Sequence, residues 1–205
     1  MIYNVTKYLD YNTLLEEFAE YKSPKAKITN LIKSGEVIKV KRDLFIAGIT
    51  SKANVNILAN IIYNPSYISF EYALNYYGLI PERVDVITSA TFNKNKNRAY
   101  ETELGVFEYR YMSKSVYPYG IVRVEENGEP FLIASKEKAL CDTLSKIRSV
   151  ESVKKISYLL YEDLRIDKEQ LQKLNEEDIK FYSEIYTQPN IKLFYKLLLK
   201  LKQDE

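Results

Sequence analysis

The chain has 205 residues, of which 46% are hydrophobic and 28% are charged, as expected for one or two folded domains. Its net charge of +2 is too small to mark the whole chain as a nucleic-acid binder, so such a role requires locally placed charge. Histidine is absent and Cys141 is the only cysteine, which excludes a Ser-His-Asp or Cys-His nucleophile system and a zinc site of the usual Cys/His type.

The same features predict a cellular location. A lone cysteine excludes an internal disulfide and suits a reducing cytosol. The N-terminal stretch has neither the basic start nor the apolar run of a signal peptide, and no run of about 18 apolar residues predicts a membrane span. We therefore expect a cytoplasmic protein with no membrane partner, metal or cofactor.

The first segment, up to about residue 48, predicts three helices followed by a hairpin. Ser23 and Pro24 supply an N-cap and a first-position proline, and Gly35 follows the end of the helix that they start. A capped helix followed directly by a basic hairpin is the pattern of a winged helix-turn-helix. The helices located by spacing cover residues 12–21 and 25–34, and the strands cover residues 36–40 and 44–47.

The rest of the chain predicts a mixed domain. A helix over 52–63 stops at Asn64-Pro65, Ser69 caps a helix that runs to 77, and Asn127-Gly128 marks a hairpin turn. Strands are predicted over 84–88, 100–102, 106–111, 121–124 and 131–134. Ser135 caps a helix over 136–147, and further helices are predicted over 152–161, 168–174, 176–186 and 191–202.

These elements predict an α+β fold in two parts. A winged helix-turn-helix DNA-binding domain occupies residues 1–50. A second domain, residues 51–205, has a mainly antiparallel sheet and a helical tail from about residue 150.

The helix over 25–34 has the two faces of a recognition helix. Ile28, Leu31 and Ile32 share the face that docks on the preceding helices. On the opposite face, Asn30 can pair with an adenine edge and Lys33 can reach guanine or phosphate. The candidate DNA-binding residues on this helix are Lys25, Lys27, Thr29, Asn30 and Lys33.

The hairpin adds basic residues to this surface. Lys39 and Lys41 alternate with apolar residues and should point away from the core, and Arg42 lies in the turn. Asp43 repels phosphate unless it pairs with Arg42 or Lys41. Between residues 21 and 48 there are seven basic and two acidic side chains, a difference of +5. The alternatives are a lysine-rich solvated surface and a protein-interaction module.

Three ordered motifs resemble the AbiEi antitoxin family of abortive-infection toxin–antitoxin pairs, which act in phage defence. They are SPKAKITNLIKSGEVIKVKRDLFIAG, NPSYISFEYALNYYGLIPERVDVITSAT and FLIASKEKALCDTL, and the resemblance runs from about Tyr21 to Leu144. It implies a winged helix that binds repeats in its own promoter and represses transcription of the operon. It also implies a larger domain that counteracts a nucleotidyltransferase-like toxin without a stable complex. The family's turn commonly ends in glycine where this chain has Asp43, which can adopt the same left-handed conformation.

The second domain contains three further features with alternative interpretations. The tyrosines of YISFEYALNYYGLIPE are either packing residues or an exposed aromatic surface. Cys141 is expected to be a buried small residue, and Lys138 and Asp142 a surface ion pair. The loop over 93–98 is either a solvated tip or a second nucleic-acid contact, made by Lys94, Lys96 and Arg98.

Two rival functions remain open. A nucleic-acid enzyme requires clustered carboxylates to hold magnesium, yet the sequence has no Asp-x-Asp and no Gly-Ser before a carboxylate pair, so no catalytic residue is assigned. The other rival is a winged-helix regulator or interaction scaffold without antitoxin activity.

Overall fold

Two helices and three strands form the N-terminal unit, residues 7–47. The computed structural model describes residues 7–47, 53–92 and 96–203. The strands pair as an antiparallel sheet in the order β1-β3-β2. In chain order the elements are β1 (Lys7–Leu9), α1 (Tyr11–Glu17), α2 (Pro24–Lys33), β2 (Val37–Lys41) and β3 (Leu44–Ala47).

Local signals explain where these elements begin and end. The Asp10 carboxylate accepts a hydrogen bond from the Thr13 backbone N–H at 2.8 Å and so caps α1. Pro24 stands at the start of α2, and Gly35 follows the helix with a φ of +77°. Asp43 has a φ of +59° in the β2–β3 turn, which confirms the left-handed conformation expected of it. The helix and hairpin predicted here are thus confirmed.

The prediction of a helix before α1 is wrong for the described residues. Lys7–Leu9 is a strand, and its partner is β3, with Tyr8 opposite Ile46. Three residues are too few to show a periodicity, so this strand is set by its partner across the sheet and not by its own sequence. Residues 1–6, where the rest of that prediction falls, lie outside the described residues.

Both faces of the three-stranded sheet are covered. Its second face places Val40, Leu44 and Ile46 in the large core of the chain, which also contains residues of helix α3 (Val55–Ile62). Because two cores share this sheet, the N-terminal unit is held against the rest of the molecule. Its first face meets α1 and α2 in a small core of Leu14, Phe18, Ile28, Leu31, Val37, Phe45 and Ala47.

The remaining elements form the C-terminal unit, residues 53–203. They include a six-stranded sheet and the helices around it. After α3 come β4 (Tyr67–Ile68), α4 (Phe70–Tyr76), β5 (Val86–Thr91), β6 (Arg98–Thr102), β7 (Gly105–Tyr111), β8 (Ile121–Glu126) and β9 (Glu129–Ala134). The helical part comprises α5 (Lys136–Lys146), α6 (Val153–Tyr158), a π-helical turn (Leu159–Asp163), α7 (Lys168–Gln172), α8 (Glu176–Ile185) and α9 (Pro189–Gln203).

The six-stranded sheet is mixed and has the order β6-β7-β5-β4-β9-β8. The β5–β7 and β4–β9 pairs are parallel, and the other three neighbouring pairs are antiparallel. The sheet is therefore less strongly antiparallel than predicted. One parallel pair involves the two-residue strand β4, which was not predicted, and the other joins β5 and β7, two strands that were predicted. Asn127 and Gly128 both have positive φ, which confirms the predicted turn between β8 and β9.

Lys138 and Asp142 form an ion pair, but the prediction that they lie on the surface is wrong. Both side chains have 0% exposure, and the Lys138 Nζ to Asp142 Oδ1 distance is 2.9 Å. The remaining ammonium protons go to the Val116 carbonyl oxygen and the Tyr186 hydroxyl. A buried charge requires such full pairing, because desolvation otherwise outweighs the attraction between the two ions.

The carboxylate of this pair ties three parts of the C-terminal unit together. Asp142 accepts hydrogen bonds from the Tyr67 hydroxyl at 3.0 Å and the Ser69 hydroxyl at 2.7 Å, on either side of the β4–α4 junction. The Tyr186 hydroxyl, from the end of α8, donates to the other carboxylate oxygen. Burial and the nearby Asp142 charge raise the pKa of Tyr67 and Tyr186 well above the usual range, so both hydroxyls keep the protons that they donate.

The helical tail packs against the same core. Asn190, at the start of α9, is fully buried, and its amide donates to the carbonyl oxygens of Leu144, Ile147 and Arg148 at the end of α5. The tail is thus an integral part of the C-terminal unit. Within the described ranges, no helix is long and apolar enough to cross a membrane.

The tyrosines of the second motif mostly pack. Tyr72 and Tyr77 are half-buried and Tyr76 is more exposed, and each hydroxyl has a partner. The acceptors are Asn56 Oδ1 for Tyr72, Glu126 Oε1 for Tyr76 and the Ala134 carbonyl oxygen for Tyr77, all within 2.9 Å. Cys141 is buried, as predicted.

Removing one member of the buried ion pair should destabilise the protein strongly. We expect Lys138→Met or Asp142→Leu to lower the free energy of unfolding by about 3–5 kcal/mol each, because either change leaves an uncompensated buried charge. The double variant should lose much less than the sum of the two single losses. Urea denaturation followed by circular dichroism measures all three values.

The exposed pair Lys155–Glu151 is a matched control, since it has the same helical spacing and a 2.8 Å contact. Lys155→Met should leave the urea midpoint unchanged. Losses at positions 138 and 142 that simply add would contradict a coupled buried pair.

Candidate nucleic-acid interface

Helix α2 presents to solvent the face that the sequence predicted. Ile28 and Leu31 are buried against the small core. Asn30 and Lys33 are exposed on the opposite side, as are Lys25 and Thr29. Among the described residues no hydrogen bond engages the Asn30 amide, so its donor and acceptor are both available to a ligand.

Two other candidate residues on α2 are partly engaged. The Thr29 hydroxyl donates to the Lys25 carbonyl oxygen at 2.9 Å, which leaves its methyl group and its oxygen lone pairs for a partner. The Lys27 ammonium lies 5.3 Å from the centre of the Tyr21 ring, and Lys27 is half-buried. Asn30, Lys33 and Lys25 are therefore the least constrained polar groups of this face.

The hairpin contributes two exposed cations. Lys39 lies on β2, and Arg42 lies in the turn. The Arg42 guanidinium is 3.7 Å from the Asp43 carboxylate, and both side chains are largely exposed. An ion pair that reduces the repulsion between Asp43 and phosphate is thus present. Because both side chains are exposed, this ion pair is weak, and Arg42 can exchange Asp43 for another partner.

Lys41 does not point away from the core as the alternation predicted. Its ammonium donates a hydrogen bond to the Ile62 carbonyl oxygen at the end of α3 and lies 5.8 Å from the centre of the Tyr100 ring. The pairing register of the hairpin shifts between Lys39 and Lys41, and this irregularity breaks the strict alternation. Burial lowers the pKa of Lys41, and the nearby Asp43 carboxylate opposes that shift.

Two of the three residues predicted as a second nucleic-acid contact lie within the described residues. Lys96 and Arg98 are exposed at the beginning of β6, whereas Lys94 lies outside the described residues. Arg98 lies opposite Tyr109 in the β6–β7 pairing and therefore shares a sheet face with Tyr100, two residues along. Since Tyr100 lies next to Lys41, the structure brings Arg98 to the side of the sheet on which the hairpin docks.

The sequence did not reveal the junction that holds Lys41. Its partners, the Ile62 carbonyl and the Tyr100 ring, lie far along the chain, and a backbone carbonyl carries no sequence signal. The predicted helix over 52–63 gave one indication of such a contact, because the last carbonyl groups of a helix have no donors within it.

The carboxylates do not form a catalytic cluster in the part of the chain that the structure describes. No group there of three or more His, Cys, Asp or Glu side chains is placed to hold a metal ion. Asp142 is enclosed by its hydrogen bonds to Lys138 and three hydroxyls, and it has no exposed surface.

No protein-family model matches the chain, and no curated protein sequence matches it.

Lys39 provides a direct test of the hairpin. If its ammonium contacts phosphate, Lys39→Ala should weaken binding to all duplexes alike and reduce the slope of log affinity against log salt by about one. Fluorescence anisotropy between low and high salt measures this slope. Lys192→Ala, an exposed lysine on α9, is the control and should keep the wild-type slope; an unchanged slope in Lys39→Ala would count against a hairpin contact.

Proposed function

We propose that the protein is a DNA-binding antitoxin and autorepressor. In this proposal the N-terminal unit is a winged helix that binds repeats in its own promoter, and the C-terminal unit counteracts a nucleotidyltransferase-like toxin. The protein itself performs no catalysis and needs no cofactor, and it acts in the cytoplasm. Its partners are double-stranded DNA and, functionally, the cognate toxin, without a stable complex.

The arrangement of the N-terminal unit supports a winged helix. Helix α2 directly precedes the β2–β3 hairpin, and a further strand, β1, pairs with β3 to close a small sheet. In a winged helix the second helix of the helix-turn-helix lies in the major groove and the hairpin lies beside it. Here α2 would be the recognition helix, and Lys39 and Arg42 would lie on the wing.

The observation that carries the proposal is the exposed face of α2. Asn30 has both the donor and the acceptor needed to pair with an adenine edge, and Lys33 and Lys25 are exposed cations on the same helix. A solvent-facing asparagine between lysines is well suited to a groove that carries both base edges and phosphates. Lys96 and Arg98 would add phosphate contacts beside the wing.

The antitoxin part of the proposal depends on the resemblance to the AbiEi family over residues 21–144. The neighbouring gene provides a direct check, since an adjacent open reading frame with a nucleotidyltransferase pattern would support it. Co-expression of that gene product with the present protein then tests whether growth is restored.

One observation favours a second candidate, a winged-helix scaffold that contacts protein only. The Arg42–Asp43 ion pair reduces the positive charge at the hairpin tip. A gel-shift experiment with the DNA upstream of its own gene separates the two, because a scaffold should not shift that duplex even at low salt.

Substitution of Asn30 should affect sequence discrimination more than overall binding. We expect Asn30→Ala to reduce the free-energy difference between operator and random duplex by about 1–3 kcal/mol, the value of one bidentate base contact. Competition anisotropy with both duplexes measures this difference. Glu184→Ala, on the exposed side of α8, should leave it unchanged. Equal binding of wild-type protein to the two duplexes would refute base readout by Asn30.

Repression and antitoxicity should separate through substitution. The double variant Asn30→Ala, Lys33→Ala removes side chains that are exposed on α2, so the fold should persist while repression of a promoter–reporter fusion is lost. The same variant, expressed from an unrelated promoter, should still rescue cells that express the toxin. Loss of rescue together with loss of repression would contradict this division of roles.

A further inference from the structure

The hairpin and the large sheet approach each other at their outer strands, and Lys41 lies at that point. Strand β2 is at one edge of the three-stranded sheet, and β6 is at one edge of the six-stranded sheet. The Lys41 ammonium lies near the Tyr100 ring of β6 and donates to the Ile62 carbonyl oxygen of α3. One side chain thus connects the hairpin to two elements of the C-terminal unit.

The Ile62 carbonyl oxygen, which accepts this hydrogen bond, has no donor within α3. Ile62 is the last residue of the helix, and the final carbonyls of a helix have no donor within it. A cation at a helix C-terminus is also favoured by the helix dipole. The Ala59 carbonyl, one turn earlier, receives the Tyr109 hydroxyl at 2.6 Å. Lys41 therefore caps, from the N-terminal unit, a helix of the C-terminal unit.

Apolar packing holds the two units together. Val40, Leu44 and Ile46 pack into the large core, and this attraction has no preferred direction. A hydrogen bond from an ammonium to a carbonyl does have a direction. A second polar contact between the two units, from the Tyr8 hydroxyl to the Asn54 carbonyl oxygen, is long at 3.4 Å. Lys41 provides the stronger directional constraint of the two.

We propose that Lys41 is a positioning residue that fixes the orientation of the DNA-binding surface on the C-terminal unit, rather than a phosphate ligand. The proposal rests on the proposed function and assigns Lys41 a role different from that of Lys39. Without the constraint, the units adopt the binding arrangement only part of the time, and the apparent affinity falls to that fraction of its intrinsic value. The number of phosphates neutralised stays the same, and so does the salt slope.

Two lysine substitutions on the same strand test this difference. Lys41→Met keeps the apolar stem and removes the ammonium, and it should lower DNA affinity about threefold to tenfold with the wild-type salt slope. Lys39→Met, the matched control, should reduce the slope by about one. Lys41→Arg keeps a cationic donor and should behave as wild type. A reduced slope in Lys41→Met would overturn the proposal, because it would identify Lys41 as a phosphate contact.

A distance measurement tests the same claim without DNA. Spin labels at Ala26→Cys on α2 and Lys180→Cys on α8 occupy exposed positions in the two units, while Cys141 is buried and stays unlabelled. Double electron–electron resonance should give a narrow distance distribution in the wild-type background and with Lys39→Met, and a broader one with Lys41→Met. An equally narrow distribution in Lys41→Met would overturn the positioning role.

The two measurements separate the failure of this proposal from the failure of the proposed function. If wild-type protein binds no duplex at low salt, the regulator function fails, and with it the effect of Lys41 on DNA. If wild-type protein binds but Lys41→Met changes neither affinity nor distance distribution, only the role of Lys41 is refuted.

Discussion

The three-stranded sheet of the N-terminal unit has no free face, and the rest of the molecule is arranged around that constraint. One face packs against α1 and α2, and the other contributes to the large core of the chain. Helix α2 must therefore use its apolar side for the sheet, which leaves Asn30 and Lys33 in solvent. Val40 and Leu44, which flank the turn of the hairpin, pack into the large core, while Arg42 and Asp43 in the turn stay exposed. The candidate interface thus follows from how the sheet is buried.

The burial of this sheet also makes the two units depend on each other. Val40, Leu44 and Ile46 contribute to the core that also contains α3, so removal of the N-terminal unit would expose apolar residues of the C-terminal unit. Point substitutions on the exposed face of α2 separate the two proposed activities more cleanly than truncation does. The buried Lys138–Asp142 network and Asn190 likewise make the helical tail inseparable from the sheet.

Local signals in the sequence were enough for much of the fold. The proline and glycine that border α2, the Asn127-Gly128 turn and the Ser135 cap are each set by the conformational preference of one or two residues. The strands β1 and β4 could not be predicted in this way, because two or three residues show no periodicity and become strands only through distant partners.

The side-chain predictions were correct where burial follows from helical spacing and wrong where it depends on tertiary contacts. The outward face of α2 was predicted because its apolar residues recur with the helical period. The spacing of Lys138 and Asp142 predicted their pairing but not their burial, which depends on Tyr186 and the tail. Lys41 was misplaced because an irregular register and a remote carbonyl decide its direction.

A lysine-acetylation footprint tests the central claim most directly. Reactivity is read at each lysine by mass spectrometry, with and without a duplex from upstream of the gene. We predict that Lys25, Lys33 and Lys39 become protected when DNA is added, while Lys192 and Lys196 on α9 keep their reactivity. Protection that is absent, or that falls on α9 in place of α2 and β2, would contradict a DNA-binding surface on the N-terminal unit.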